Sequence, residues 1–281
     1  MCVLRIFVPL RAQLLILYLN SFSRNLHIDF MTFLLFGVVL LGSIEDYIMS
    51  ENILDRHSDL VLSASIIYTA KKISALGYKI VQSSNFSRFK QLCQMRDDRM
   101  LTEQCDEVNF DFTSGNSFSL VLYDEQDKLV ATIAARKDCL GRTSLAQLLS
   151  KQYPRILGGE AGAEHAPRAH EITGDVVYQG DFWIAKKHKV RGLGHLLPRL
   201  SLLISLSRFK PDFCYAVVAP RMAEAWLPIK SGYTCCQTQL IDWSVVPEGT
   251  NENFALVYSN LSDLQHLAYG VYARSELALA A

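Results

Sequence analysis

From residue 51 onward, apolar and polar positions fall into blocks with the periods of helices and strands. Asp59 to Leu76 carries Leu60, Ile67, Ala70, Ile73 and Leu76 at helical spacing and stops at Gly77, a residue suited to ending a helix. Tyr78 to Gln82 follows as a short strand. Asn85 to Met95 follows as a helix, with Ser84 as its cap and Phe86, Phe89 and Cys93 on one side. Phe118 to Tyr123 and Lys128 to Arg136 are apolar strands around the polar turn Asp124 to Asp127, which makes a hairpin. Ser144 to Gln152 reads as a helix and Gly158 to Glu171 as a long loop. Beyond it come a strand ending at Trp183 to Ala185, a leucine-rich helix over Leu196 to Arg208 and a strand over Phe213 to Ala219. A short helical stretch over Arg221 to Lys230 precedes a last strand, Phe254 to Asn260, placed to pair at a sheet edge with a second copy as a homodimer. Mixed in this order, the elements predict an α/β (α+β) fold.

The first fifty residues stand apart from this organisation. Phe30 to Ile44 is almost continuously apolar, and Val3 to Leu19 is a second apolar tract broken by Arg5 and Arg11. The former is shorter than the roughly 18 to 20 residues that cross a bilayer, and neither tract leads into a clear small-x-small cleavage site. Residues 1–50 are therefore read as an extra N-terminal segment dispensable for chemistry, with Met31 and Met49 as later starts and membrane anchoring as the other reading. Residues 51–281 make one domain, with an insertion at about 140–175.

Charge narrows the function only a little. Lys plus Arg and Asp plus Glu number 28 each, a balance that argues against nucleic acid as the main partner. The seven cysteines form no Cys-x-x-Cys pair, and adjacent Cys235 and Cys236 on a strand point to opposite faces. Reduced thiols in a cytoplasmic protein are expected, not a disulfide framework.

Chemistry is concentrated between Trp183 and Leu197, where a strand enters a basic, glycine-containing turn that opens onto a helix. The first amides of a helix lack internal partners and the helix dipole adds positive charge there, so this junction suits a phosphate. Lys189, Gly192 and Gly194 give the pattern basic-x-x-Gly-x-Gly, with glycines where a Cβ would keep a ligand from the amides. A nucleotide P-loop would need Lys and Ser or Thr after Gly194, where His195 and Leu196 stand. A dinucleotide fingerprint would need a third glycine at Leu197, and a kinase-type loop would lie between two strands.

This motif, with the strand and helix order around it, resembles the GNAT superfamily, the Gcn5-related N-acetyltransferases that take an acyl group from coenzyme A. Lys189 stands where the family has Gln or Arg, and the resemblance covers about residues 78 to 262, ending near Gly232-Tyr233 as the family's terminal Gly-Phe/Tyr. It implies a GNAT-like mixed, mostly antiparallel central sheet flanked by helices. It implies acetyl-CoA or another acyl-CoA as co-substrate, held by Ile184 and Ala185 at the strand end and by Lys189, Val190, Arg191, Gly192, Leu193 and Gly194 in the loop. The acceptor would be an amine of a small molecule or protein, with Gly158 to Glu171 as a flap over its site; Arg88, Arg96 and Arg99 beside it read as solvated helix charges, with contact to an acidic acceptor as the other reading.

The catalytic half departs from the family. The common tyrosine falls at Pro228, the common asparagine at Arg221, and the glutamate of histone-type relatives at Tyr178. Asp181 is the nearest acid, on the opposite strand face from Tyr178 unless a bulge intervenes, and is the candidate base; Tyr215 and Tyr233 are candidate acids. Two other readings stay open: a synthase of acyl-homoserine lactones or N-acyl amino acids, and a non-catalytic acyl-CoA-binding domain. No metal is expected, since Glu164, His165, His170 and Glu171 have no element to converge them.

Overall fold

A computed structural model describes residues 58–96, 101–165, 167–189, 192–248 and 254–280. The N-terminal segment, the Met49 start, Val190, Arg191 and Arg99 lie outside these residues.

A seven-stranded sheet has the order β1-β2-β3-β5-β6-β9-β7. Its strands are β1 (Lys79–Ser83), β2 (Ser117–Tyr123), β3 (Leu129–Gly141), β5 (Gly174–Ile184), β6 (Phe213–Val218), β7 (Cys235–Gln237) and β9 (Ala255–Asn260). Every neighbouring pair is antiparallel except β5 and β6, which the chain joins through a crossover helix, as a parallel pair requires. The sheet is thus mixed, mostly antiparallel and flanked by helices, the architecture that the resemblance implies.

The sheet separates two apolar cores. One packs α1 (residues 58–75), α4 (Leu193–Phe209) and α7 (Leu261–Ala280) against Phe118, Leu120 and Leu122 of β2. The other packs α2 (Phe86–Gln94) and α3 (Leu145–Leu157) against Val121 of the same strand. The strand period of two thus gives each face its own helices.

Local chemistry explains most boundaries and several departures from the sequence reading. In α1 the buried stripe is Val61, Leu62, Ser65, Thr69 and Ile73, whereas Leu60 and Ile67 are exposed. The expected face was rotated because it counted apolar residues alone, and here two hydroxyls satisfied within the helix share the buried side: Ser65 Oγ donates to Val61 O and Thr69 Oγ1 to Ser65 O. The cap of α2 is Asn85, whose Oδ1 accepts from Arg88 N at 2.9 Å, not Ser84. Helix α3 begins on a reciprocal box between Ser144 and Gln147 and continues past Gln152 to Leu157 despite Pro154, because its last turns bury Tyr153.

The expected loop Gly158 to Glu171 is largely ordered. β4 (Glu160–His165) pairs with β8 (Ile241–Val245) as a separate two-stranded sheet, and a 3₁₀ turn follows at Pro167–His170. Small and polar residues in β4 hid the strand signal, which lies in its partner. The helical stretch after β6 is two pieces, α5 (Pro220–Glu224) and α6 (Leu227–Ser231), broken at Trp226 with φ 55°. β9 lies between β6 and β7, so its hydrogen bonds are satisfied within the chain and it offers no edge to a second copy.

Candidate active site

The parallel pair β5 and β6 is joined at only three positions, Val176 with Phe213, Val177 with Cys214 and Tyr178 with Tyr215. Beyond Tyr178 the strands part, and a cavity of about 620 Å³ opens between them. It is lined on β5 by Tyr178 to Phe182 and on β6 by Ala216 to Val218. Gly194 and Pro198 of α4 border it, as do Tyr153, Ile156 and Leu157 of α3 on the opposite face, so the cavity runs through the sheet.

A bulge in β5 accompanies the parting. Thr132 pairs with Trp183 but Ala134 pairs with Gly180, so Asp181 and Phe182 together oppose Ile133. Asp181 takes φ 51°, and its carboxylate turns to the α2 face, the face of Tyr178. There Oδ1 accepts from Arg96 Nη1 at 3.2 Å and from Thr102 N at 3.1 Å. Oδ2 meets Arg96 Nη2 and the Cys93 thiol. Both side chains of this ion pair are fully buried. Burial first, then the Asp181 carboxylate, push the Cys93 thiol well above its usual range, so it stays protonated. Asp181 reaches the cavity wall, yet both oxygens are occupied, so the carboxylate is built to fix the bulge more than to take a proton. Arg96 is accordingly neither free for an acidic acceptor nor a solvated helix charge; Arg88 is exposed.

The loop after β5 is a 3₁₀ turn at Lys186–His188, and α4 starts behind Gly192, which takes φ 80° as its N-cap. The turn is anchored from below by Tyr78 Oη, 2.7 Å from His188 Nδ1. Gly192 offers no side-chain acceptor, and the first helical bonds are those of His195 N and Leu196 N to Gly192 O, each 3.4 Å. The amides of Leu193 and Gly194 stand outside that ladder. The two glycines serve different ends: Gly192 permits the left-handed turn, while a Cβ on Gly194 would come within 3.3 Å of Leu227 Cδ1 and loosen the contact of α4 with α6. The field here is positive. Burial first, then the charges of Arg199, Lys230 and Lys72, hold the His195 pKa below the ordinary histidine value.

At the strand end, Ala185 N–H donates to Val130 O at 2.8 Å and is thereby spent on β3. By alternation the polar groups of Ile184 turn away from β3, toward the gap. Of the candidate acids, Tyr233 lines the cavity and donates to Gln179 Oε1 at 3.0 Å. Tyr215 lies behind Tyr178, with ring centroids 5.3 Å apart. Burial, then neighbouring Tyr153, raises Tyr178 well above its usual pKa, keeping a neutral phenol where the strands divide. Its ring lies along Gly180, where a Cβ would come within 2.4 Å of it.

Pro228 and Arg221 also line the cavity, as do Thr102, Glu103, Gln104 and Glu248, none of the last four singled out by sequence. They belong to turns without period or motif, and only the folded chain brings them to β5. Among the described residues no group of three His, Cys, Asp or Glu side chains could hold a metal, and no helix is long and apolar enough to cross a membrane. The side chains of Glu164 and His165 lie outside the description, and Glu171 pairs with Arg168 at 2.8 Å.

No protein-family model matches the sequence, and no curated protein matches it significantly. Among solved structures, the Vibrio cholerae spermidine N-acetyltransferase in complex with CoA and spermine is similar at 12% identity and TM-score 0.38, over 67% of this chain and 98% of that one. Arabidopsis thaliana NAA60 in complex with acetyl-CoA is similar at 15% identity and TM-score 0.40, over 66% of this chain and 98% of that one. Likenesses this distant do not bear on what this chain binds.

Proposed function

We propose that this chain is an N-acyltransferase that moves an acyl group, acetyl in the first instance, from coenzyme A to an amine of a small molecule or protein. The observation that carries the reading is the cavity through the sheet, opened where β5 and β6 stop pairing and bordered by Gly194 at the start of α4. A diphosphate would rest on the amides of Leu193 and Gly194 in the field of Lys72, Arg199 and Lys230. The pantetheine arm would extend along the end of β5 at Ile184, bringing the thioester to Tyr178.

Transfer then needs no covalent enzyme intermediate. The neutral amine nitrogen attacks the thioester carbon, the C–N bond forms, the C–S bond breaks, and the proton lost by nitrogen is balanced by protonation of the leaving thiolate. Holding both reactants in one cavity supplies orientation. A neutral phenol at Tyr178 is placed to donate to the thioester oxygen or to the departing sulfur. The thiols of Cys93, Cys139, Cys214, Cys235 and Cys236, none of them in a disulfide, fit a reducing, cytoplasmic setting.

Pro228 at the position of the family's tyrosine, and the engagement of Tyr233 with Gln179, favour a second reading in which acyl-CoA is bound but not turned over. Titration of acetyl-CoA followed by thiol release with an amine panel separates the two. Binding with thiol release supports transfer, binding without release supports the second reading, and no binding overturns both.

A further inference from the structure

The structure assigns the acceptor a chemistry: we propose a small amine that is cationic, carried on an apolar body and free of carboxylate, entering from the α3 face. This rests on the acyl-transfer reading of the same cavity. The α3 side of the cavity is walled by Tyr153, Ile156, Leu157 and Phe254. Two exposed carboxylates border the same wall. Glu103 begins the 3₁₀ turn whose next residue, Gln104, bonds the Tyr153 hydroxyl and accepts from Arg136 Nη1 at 2.6 Å. Glu248 follows Pro247, which lies so close behind α3 that a Cβ on Gly159 would fall within 2.8 Å of its ring.

Cations are placed elsewhere. Arg221, the only cation among the described residues lining the cavity, comes from α5 after β6 and not from the α3 wall. Arg155, in the last turn of α3, donates instead to Asn109 O at 3.2 Å. Arg136 is committed to Asp138 at 2.8 Å. The C-terminal end of α3 adds partial negative charge on the same side. An ammonium would meet two carboxylates there and give one proton to solvent at this exposed mouth before the neutral nitrogen attacks, its apolar body would cover the α3 wall, and an acceptor carboxylate would be repelled.

The test is a comparison of 2-phenylethylamine with phenylalanine, spermidine and a short peptide bearing a free amino terminus, each with acetyl-CoA and the full chain. The expected kcat/KM for 2-phenylethylamine exceeds that for phenylalanine by about tenfold or more, and the other two fall below it. Glu103→Gln and Glu248→Gln should each raise KM for the amine by about fivefold, as for exposed charge pairs, with KM for acetyl-CoA unchanged. Equal or better use of phenylalanine, spermidine or the peptide, or glutamine variants with unaltered amine KM, would overturn the assignment while leaving acyl transfer intact. Failure of acetyl-CoA to bind by calorimetry would bring down the acyl-transfer reading and this one with it.

Discussion

Gly192 holds a backbone conformation that a β-branched side chain resists, at a cost of about 1–3 kcal/mol, and it does so at the start of α4. Gly192→Val should therefore weaken acetyl-CoA binding by about tenfold or more in calorimetry. Gly194→Ala meets only the flexible end of Leu227 and should cost less than about threefold. His195 supplies a pH signature for the same loop. Its pKa lies below the ordinary value in the free chain, because of burial and the charges of Arg199, Lys230 and Lys72. A bound diphosphate would raise that pKa. Between the lowered pKa of the free chain and the raised pKa of the complex, binding should thus take up protons and tighten as pH falls. Calorimetry in two buffers of different ionisation enthalpy reads this directly, and release of protons would contradict it. Tyr178→Phe should lower kcat by about 10- to 100-fold with little change in acetyl-CoA affinity.

Among the elements, the bulge of β5 depends on a charge pair that no sequence pattern announces. Arg96→Met leaves the Asp181 carboxylate buried and unpaired, which should cost about 3–5 kcal/mol in urea denaturation and raise KM for acetyl-CoA as β5 relaxes toward β6. Combining it with Asp181→Asn, a residue that tolerates φ 51°, should cost less than the sum of the single changes. The sequence disclosed the strands β2, β3 and β6, the end of β5 and the body of α4, though it began that helix at Leu196 and not at Leu193, because each is an apolar run beside a turn with its own chemistry. It was silent on β4, whose Glu160-Ala-Gly-Ala-Glu-His165 becomes a strand only against Ile241–Val245. Helix α7 carries a signal readable in the sequence, Leu261, Leu264, Ala268 and Val271 behind a reciprocal box between Asn260 and Asp263. The loop half of the candidate site was legible for the same reason as α4. The acceptor half was not, since Thr102, Glu103 and Glu248 are joined to Tyr178 by folding alone.

Across the whole molecule, the proposed reaction puts donor and acceptor on opposite faces of one sheet, with the reacting atoms meeting in the gap. Such a layout calls for both ligands bound together. Initial rates should give intersecting double-reciprocal plots, and no acylated protein should build up in mass spectra when the amine is withheld. The three-residue contact between β5 and β6 has a mechanical consequence as well. It is a seam: the antiparallel block β1-β2-β3-β5 and the block β6-β9-β7 are zipped to each other over little more than one turn of the pleat. Amides along this seam should exchange with deuterium sooner than those inside either block, and a nucleotide thioester spanning it should slow both margins together, stapling the two halves into one plate.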